Sequence, residues 1–250
     1  MTLSHNFQVR GLQIINHVVS IAGLCFAVAT GQWWLLLTAL LVYWTMGILG
    51  INIAFHRLLS HRSFSTSPVI EKILSVIGVL TSVGSPLAWV AIHRQHHRCT
   101  ERLGDPHSPY LIGNFRAWFG IWPTIRLDLK LVRDLREQPF QKKLHKHYLY
   151  IILLYCGLLA IINPWLIVFA YCLPACLCLH SSSAIIVIAH RHGYKTHQIS
   201  DESRNSWIAN LITMGEGWHN NHHAKPYRWS NWEKWWEWDI PAVIIWLIKR

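Results

Sequence analysis

The chain has 250 residues, 52% of them hydrophobic and only 14% charged, where a soluble domain carries about a quarter charged residues. The net charge of +11 gathers beside apolar runs and in one middle stretch, the placement expected from the positive-inside rule. Together these exclude an ordinary soluble domain and argue against nucleic acid as a partner.

The first elements are two apolar runs, 12–30 and 33–55, joined by a short turn at Gly31. Each has about the 20 residues a helix needs to cross a bilayer. Because the second follows the first at once, the first reads as a span and not as a cleaved signal peptide. A further apolar block, 148–189, is long enough for two crossings, 148–163 and 165–189, with Asn163-Pro164 as the turn. Between these pairs lies 69–92, which is long enough to cross but carries Glu71, Lys72, Thr81, Ser82, Ser85 and Pro86. It divides two histidine-rich motifs, and a metal centre shared between them requires both on one side of the membrane. The segment is therefore expected to be interfacial or re-entrant.

The expected fold is all-α and integral to the membrane, a single domain over 1–250. Four transmembrane helices carry a histidine-rich cap formed by 56–147 and 190–250, with interfacial helices. The turns at Gly31 and Asn163 contain no Lys or Arg. The opposite side carries Arg57, Arg62, Arg94, Arg98, Arg102, Arg116, Arg126, Lys130, Arg133, Arg136, Lys142, Lys143 and Lys146. That asymmetry predicts both termini and the cap in the cytoplasm. The tryptophan-rich stretch 229–250 is expected along the interface, and its apolar run 240–248 is too short to span. The six cysteines lie mostly in apolar runs without CxxC spacing and read as packing residues.

The chemistry is written in three motifs. The first is His56-Arg-Leu-Leu-Ser-His61, the second His93-Arg-Gln-His96-His97, the third His219-Asn-Asn-His222-His223 after Gly215-Glu216-Gly217-Trp218. Spacings of three and four put histidines on one helical face, and neutral imidazole is the commonest protein metal ligand. The first pair, five apart, would diverge by about 140° on an ideal helix, so it requires a helix end or an unwound turn. Haem needs only one or two of these histidines and zinc hydrolysis about three. Eight imidazoles imply two metals, and iron suits oxygen chemistry in an apolar site.

The strings HRLLSHRSF, HRQHHR, DPHSP and GEGWHNNHH resemble, in order and separation, the histidine boxes of membrane fatty-acid desaturases, particularly the delta-9, stearoyl-CoA desaturase-like type. The likeness runs from about Trp33 to Trp238. It implies a ninth ligand at His190, in Ile186-Val-Ile-Ala-His190-Arg-His-Gly193-Tyr194, and leaves His192 outside the set. Ile186 stands where the family has an Asn that helps hold one metal through water, and Glu101 where the family often has Asp. The remaining histidines, including His17, His107, His145 and His180, read as ordinary polar residues.

The resemblance further implies two Fe ions, O2, and a long-chain saturated acyl substrate carried on CoA or lipid, which receives a cis double bond. A hydroxylase of the same di-iron class, or a non-enzymatic metal-binding membrane protein, is the alternative. No haem, dinucleotide or iron–sulfur signature occurs in the sequence, so a separate electron donor such as ferredoxin or cytochrome b5 is expected. Arg133, Arg136, Lys142 and Lys143 are its candidate docking residues, or those for substrate phosphates and anionic lipid.

Overall fold

A computed structural model describes residues 3–121 and 128–250, with side chains from Phe7 onward. Arg126 and the His5 side chain lie outside the described residues. Among those residues the fold is all helical, with only isolated bridges pairing Asn205 with Tyr194 and Trp218.

Three helices are long and apolar enough to cross a membrane: α1 (Leu3–Thr30, its apolar part Phe7–Thr30), α2 (Trp33–Ser60) and, later in the chain, Trp165–Ile188. Gly31, at φ +66°, supplies the left-handed residue of the tight α1–α2 turn. After α2 come α3 (Pro68–Leu80) and α4 (Pro86–Cys99). Each starts at a Ser-Pro pair. Ser67 and Ser85 accept backbone N–H groups of Ile70 and Ala88, and each proline occupies the first helical position, where no N–H is needed.

The 69–92 segment is thus two helices of 13 and 14 residues, each about 20 Å long at 1.5 Å per residue. Neither matches the roughly 30 Å of a hydrocarbon core. The chain leaves His61 along α3 and returns along α4 to His93, whose Nε2 lies 2.8 Å from that of His61. Glycine sets how closely α3 lies on α2. A Cβ on Gly50 would stand 2.8 Å from Gly78 Cα, and one on Gly78 would strike the Phe55 ring. The hairpin tip is polar and buried, with Ser82 bonded to Tyr171 at 2.8 Å and Ser85 to His145 at 2.6 Å.

Next come α5 (Pro139–Lys146), α6 (Tyr148–Ile162) and α7 (Trp165–Ile188), broken at Asn163-Pro164 as the sequence suggests. Alone, α6 has 15 residues, about 22 Å. It reaches the length of a span only together with α5, from which it bends by 72°. Among the described residues there are therefore three candidate spans, or four if that bent pair is one. Helix α7 lies against both α1 and α2. His17 of α1 and His180 of α7 meet at 3.1 Å, and the Trp118 indole donates to His180 Nδ1. That half-buried contact ties the two helices to the cap, a structural role the sequence does not reveal. The cap ends with α8 (Trp207–Thr213), α9 (His219–Ala224) and α10 (Ile240–Ile248), the last seated on the C-terminal half of α2.

Candidate metal centre

The second half of α2, Met46–Ser60, winds as a π-helix. This resolves the awkward spacing of the first motif. The His61 N–H donates to the His56 carbonyl, an i→i+5 bond, so residues five apart stack as residues four apart do on an α-helix. The two rings lie 4.9 Å apart. A π turn, and not an unwound one, aligns them.

The structure brings all nine predicted histidines together, in two groups. His56, His61, His93, His97 and His222 each offer a nitrogen within 4.8 Å of the others. His96, His190, His219 and His223 form a second group on the same criterion. Each HxxHH motif is therefore divided and does not present one face to one site. On α4, His93 and His97 go to the five-histidine group and His96 to the other. On α9, His219 and His223 go to the four-histidine group and His222 to the first. The i,i+4 pairs stay together and the intervening residue reaches across. His192 is exposed and belongs to neither group.

Within the groups the nitrogens converge: His56 to His222 at 3.0 Å, His222 to His97 at 3.1 Å, His190 to His219 at 3.1 Å. Burial, followed by mutual repulsion among the imidazoles, pushes His61, His93, His97, His219 and His222 well below the ordinary histidine range. Burial likewise lowers His223 to about 4 despite its carboxylate neighbour. These rings are neutral at pH 7, the form that binds metal.

Four histidines are oriented by carboxylates through Nδ1: His56 by Glu216 at 2.8 Å, and His96 by Asp105, His190 by Glu101 and His223 by Asp201, each at 3.0 Å. A donor bond at Nδ1 fixes the tautomer and leaves Nε2 as the lone pair. The fit to a metal is visible at His223. Its Nδ1 is held by Asp201, while its Nε2 is buried without a hydrogen-bond partner among the described residues. A cation is the partner such a lone pair lacks.

The carboxylates are held in turn. Burial alone would raise the Asp105 and Asp201 carboxyls, but bonds from His96 and His223 outweigh it and keep both below the usual range. Glu216 is held at about 2: burial opposes ionisation, and the charge of Arg57 overcomes it. Arg57, 1% exposed, donates to Glu216 at 2.7 Å, to Asp239 at 3.0 Å and to the Trp229 carbonyl at 2.9 Å. Glu101 sits at φ +61°, a conformation costing roughly 1–3 kcal/mol in a non-glycine residue. The strained turn aims its side chain at His190 while its backbone N–H is taken by Asp105.

The third motif owes its shape to its asparagines. Asn205 Oδ1 accepts the backbone N–H groups of Asn220 and Asn221, and its amide donates to Asn221 Oδ1 at 2.7 Å. Asn220 Oδ1 accepts from Thr196 and His197. Gly217 is required because a Cβ there would fall 2.1 Å from the Asn210 nitrogen. Sequence reasoning missed these scaffolding roles, and those of Glu216, Asp201 and Arg57. The Glu216 signal was present, since a carboxylate three residues before a probable ligand is unusual in so uncharged a chain. Nothing in the spacing points to Asp201. His107, read as an ordinary polar residue, is buried with its ring tilted against that of His96, the centroids 4.5 Å apart.

Residues 31–243 match the family model for fatty acid desaturases. The chain is 33% identical over 215 residues to the sn-1 stearoyl-lipid 9-desaturase of Anabaena variabilis, covering 84% of this chain and 79% of the relative. To the sn-2 palmitoyl-lipid 9-desaturase of Nostoc sp. it is 35% identical, covering 83% and 76%. To the acyl-CoA C20 Delta5-desaturase of Anemone leveillei it is 32% identical, covering 94% and 78%.

Proposed function

The chain belongs to the fatty acid desaturase family, and from that premise we propose that it is a di-iron enzyme placing a cis double bond at the Δ9 position of a long-chain saturated acyl group. The observation that carries the reading is the convergence of nine histidines, from three motifs and the end of α7, into one five-membered and one four-membered group. His56, His61, His93, His97 and His222 would hold one iron, and His96, His190, His219 and His223 the other.

The overall reaction takes an acyl –CH2–CH2– unit, O2, two electrons and two protons to –CH=CH– and two waters. The bound irons supply the oxygen activation that side chains lack. The protein's part is orientation and exclusion of water. Glu216, Asp105, Glu101 and Asp201 fix the ring planes. The apolar helices would hold the acyl chain with one methylene pair beside the histidines. Ile186, one turn before His190 on α7, offers no polar atom toward the four-histidine group.

The electrons come from a separate donor, a ferredoxin or a cytochrome b5. Arg133, Arg136, Lys142 and Lys143 are all exposed and suit an acidic partner. We further propose that the cap and both termini face the cytoplasm, that α6 makes the fourth crossing with the lysine-bearing α5 bent away from it on the cap side, and that α3 and α4 form a re-entrant hairpin. The Lys and Arg distribution supports this orientation. The Δ9 position follows the names of the Anabaena and Nostoc relatives, whose substrates are lipid-bound. The Anemone relative is named for acyl-CoA and Δ5.

Expression in a desaturase-deficient host, with lipid and CoA pools profiled separately and double bonds located by mass spectrometry, tests the proposal. A new Δ9 monoene is expected, and none from the His222→Ala variant. A product gaining sixteen mass units would mark a hydroxylase. Unchanged profiles with a matched donor present, or activity retained by His222→Ala, would overturn the reading.

A further inference from the structure

The two histidine groups differ in charge. Three of the four rings in the four-histidine group donate to carboxylates: His96 to Asp105, His190 to Glu101, His223 to Asp201. These acids are 0%, 14% and 13% exposed, and among the described residues none is paired with Lys or Arg. Asp105 is satisfied by the backbone N–H groups of Glu101 and His107, Glu101 by that of Glu202, and Asp201 by that of Ser203.

Among the described residues, only His56 of the five-histidine group has a carboxylate, Glu216. The Arg57 guanidinium grips that acid through two nitrogens at 3.0 and 2.7 Å and uses another to hold Asp239. The negative charge behind His56 is thus offset by a cation in direct contact.

A carboxylate accepting from Nδ1–H makes imidazole a stronger donor and favours the more highly charged metal. In a buried site such charges are weakly screened. One additional neutral imidazole does not match three unpaired anions. We propose that Asp105, Glu101 and Asp201 make the four-histidine centre the more easily oxidised of the two. The Glu216–Arg57–Asp239 cluster, one cation between two carboxylates, puts less negative charge behind the five-histidine centre, which leaves that centre as the one that keeps its electron longer.

The consequence is an ordered pair. When the reduced protein gives one electron to an outer-sphere oxidant, Fe(II) at the four-histidine centre becomes Fe(III) and the oxidant is reduced by one electron. The second electron leaves the five-histidine centre at a higher potential. Ser60 and Arg62, the neighbours of His61 in the chain, line a surface pocket with Arg94, Arg133, Asp134 and Glu137.

This inference rests on the di-iron reading above, and the test separates the two. The full-length protein, loaded with iron and reduced, is titrated with one-electron oxidants of graded potential such as ferricyanide-type complexes. Electron paramagnetic resonance and Mössbauer spectra follow each step. Asp201→Asn and Glu101→Gln keep size and one acceptor oxygen for the histidine, lose the bond from the backbone N–H of Ser203 or Glu202, and remove the charge. Each is expected to raise the first potential by at least a tenfold change in the one-electron equilibrium, which is 59 mV, with the second little moved. Glu216→Gln is expected to move the second potential and leave the first. A purely structural role would shift both potentials together or lower the iron content of both centres.

Two irons with both potentials moving equally, or Glu216→Gln moving the first, would overturn the charge asymmetry and leave the di-iron reading standing. Fewer than two irons in the unmodified protein would overturn both. Should Asp201→Asn fail to fold, Glu101→Gln, in the turn after α4, decides alone.

Discussion

Along α1 the large apolar side chains of Ile14, Val18 and Ile21 are more than half exposed, while in the cap Arg57, Asn205, Asn220 and Asp239 are almost wholly enclosed. The hydrophobic rule of a soluble protein is turned around, and the two regions reverse it for different reasons. The outer face of the spans meets lipid, where apolar side chains need no cover. The cap must hold neutral imidazoles and their carboxylates away from water, which only a closed hydrogen-bond network permits. The spans are therefore tolerant in detail and the cap is not.

Arg57 gives the largest test of that difference. It joins α2 to Glu216, Gly215, Trp229 and Asp239, four points on the C-terminal part of the cap. Replacement by Met keeps the volume but strands two buried carboxylates. Breaking a buried pair from one side costs about 3–5 kcal/mol. A large fall in the melting temperature of the detergent-solubilised protein is expected, with loss of bound metal. Arg57→Lys is expected to recover part of it, since Lys supplies the charge without the planar fork. A melting temperature for Arg57→Met within a degree or two of the unmodified protein would remove the network from any role in holding the cap.

Acidification acts on the same region through its histidines. In the folded protein His219 and His222 lie well below the ordinary range and His223 at about 4. Their folded values are below the unfolded one near 6.5, so the unfolded chain binds more protons in between. Stability of the metal-free protein is then full above about pH 6.5 and falls as pH drops toward 4. The carboxylates have the same sign: Asp105 and Asp201 are held below their unfolded value, and their contribution is lost as pH falls through about 4 and lower. Melting curves from pH 8 to 4 are the measurement, and a profile flat down to pH 4.5 would contradict buried neutral imidazoles.

How much of this could be read from sequence follows the same division. The spans were legible because a lipid-facing helix advertises itself by composition over 20 residues, and Gly31 and Asn163-Pro164 mark their turns. The histidines were legible because ligand types recur at helical spacing. The π-helical register that stacks His61 on His56 was not, since it rests on where the α2 backbone gains a residue per turn, and no side-chain pattern encodes that. The split of each HxxHH between two centres was hidden for a related reason: spacing fixes which residues share a face, but not how many sites that face serves. Asp201 is 22 positions from His223 and Glu101 is 89 from His190. Only the folded chain brings them together.

The smallest expected effect lies on the other side of the comparison. Ile14 is 65% exposed on the outer face of α1. In a water-soluble protein an exposed apolar residue exchanged for Ala changes stability little. Here the side chain faces lipid in both the folded protein and the inserted but unpacked helix, so its transfer term cancels between the two states. Ile14→Ala is expected to leave stability within about 0.5 kcal/mol of the unmodified protein, with iron content and product profile unchanged. Buried Ile53, seven residues beyond Met46 in the cap-side half of α2 and fully enclosed, is the matched control. There Ile→Ala opens a cavity and costs about 2–5 kcal/mol. If the two substitutions proved equally damaging, the outer face of α1 would be covered by protein, either a second copy of this chain or a partner, and not by lipid.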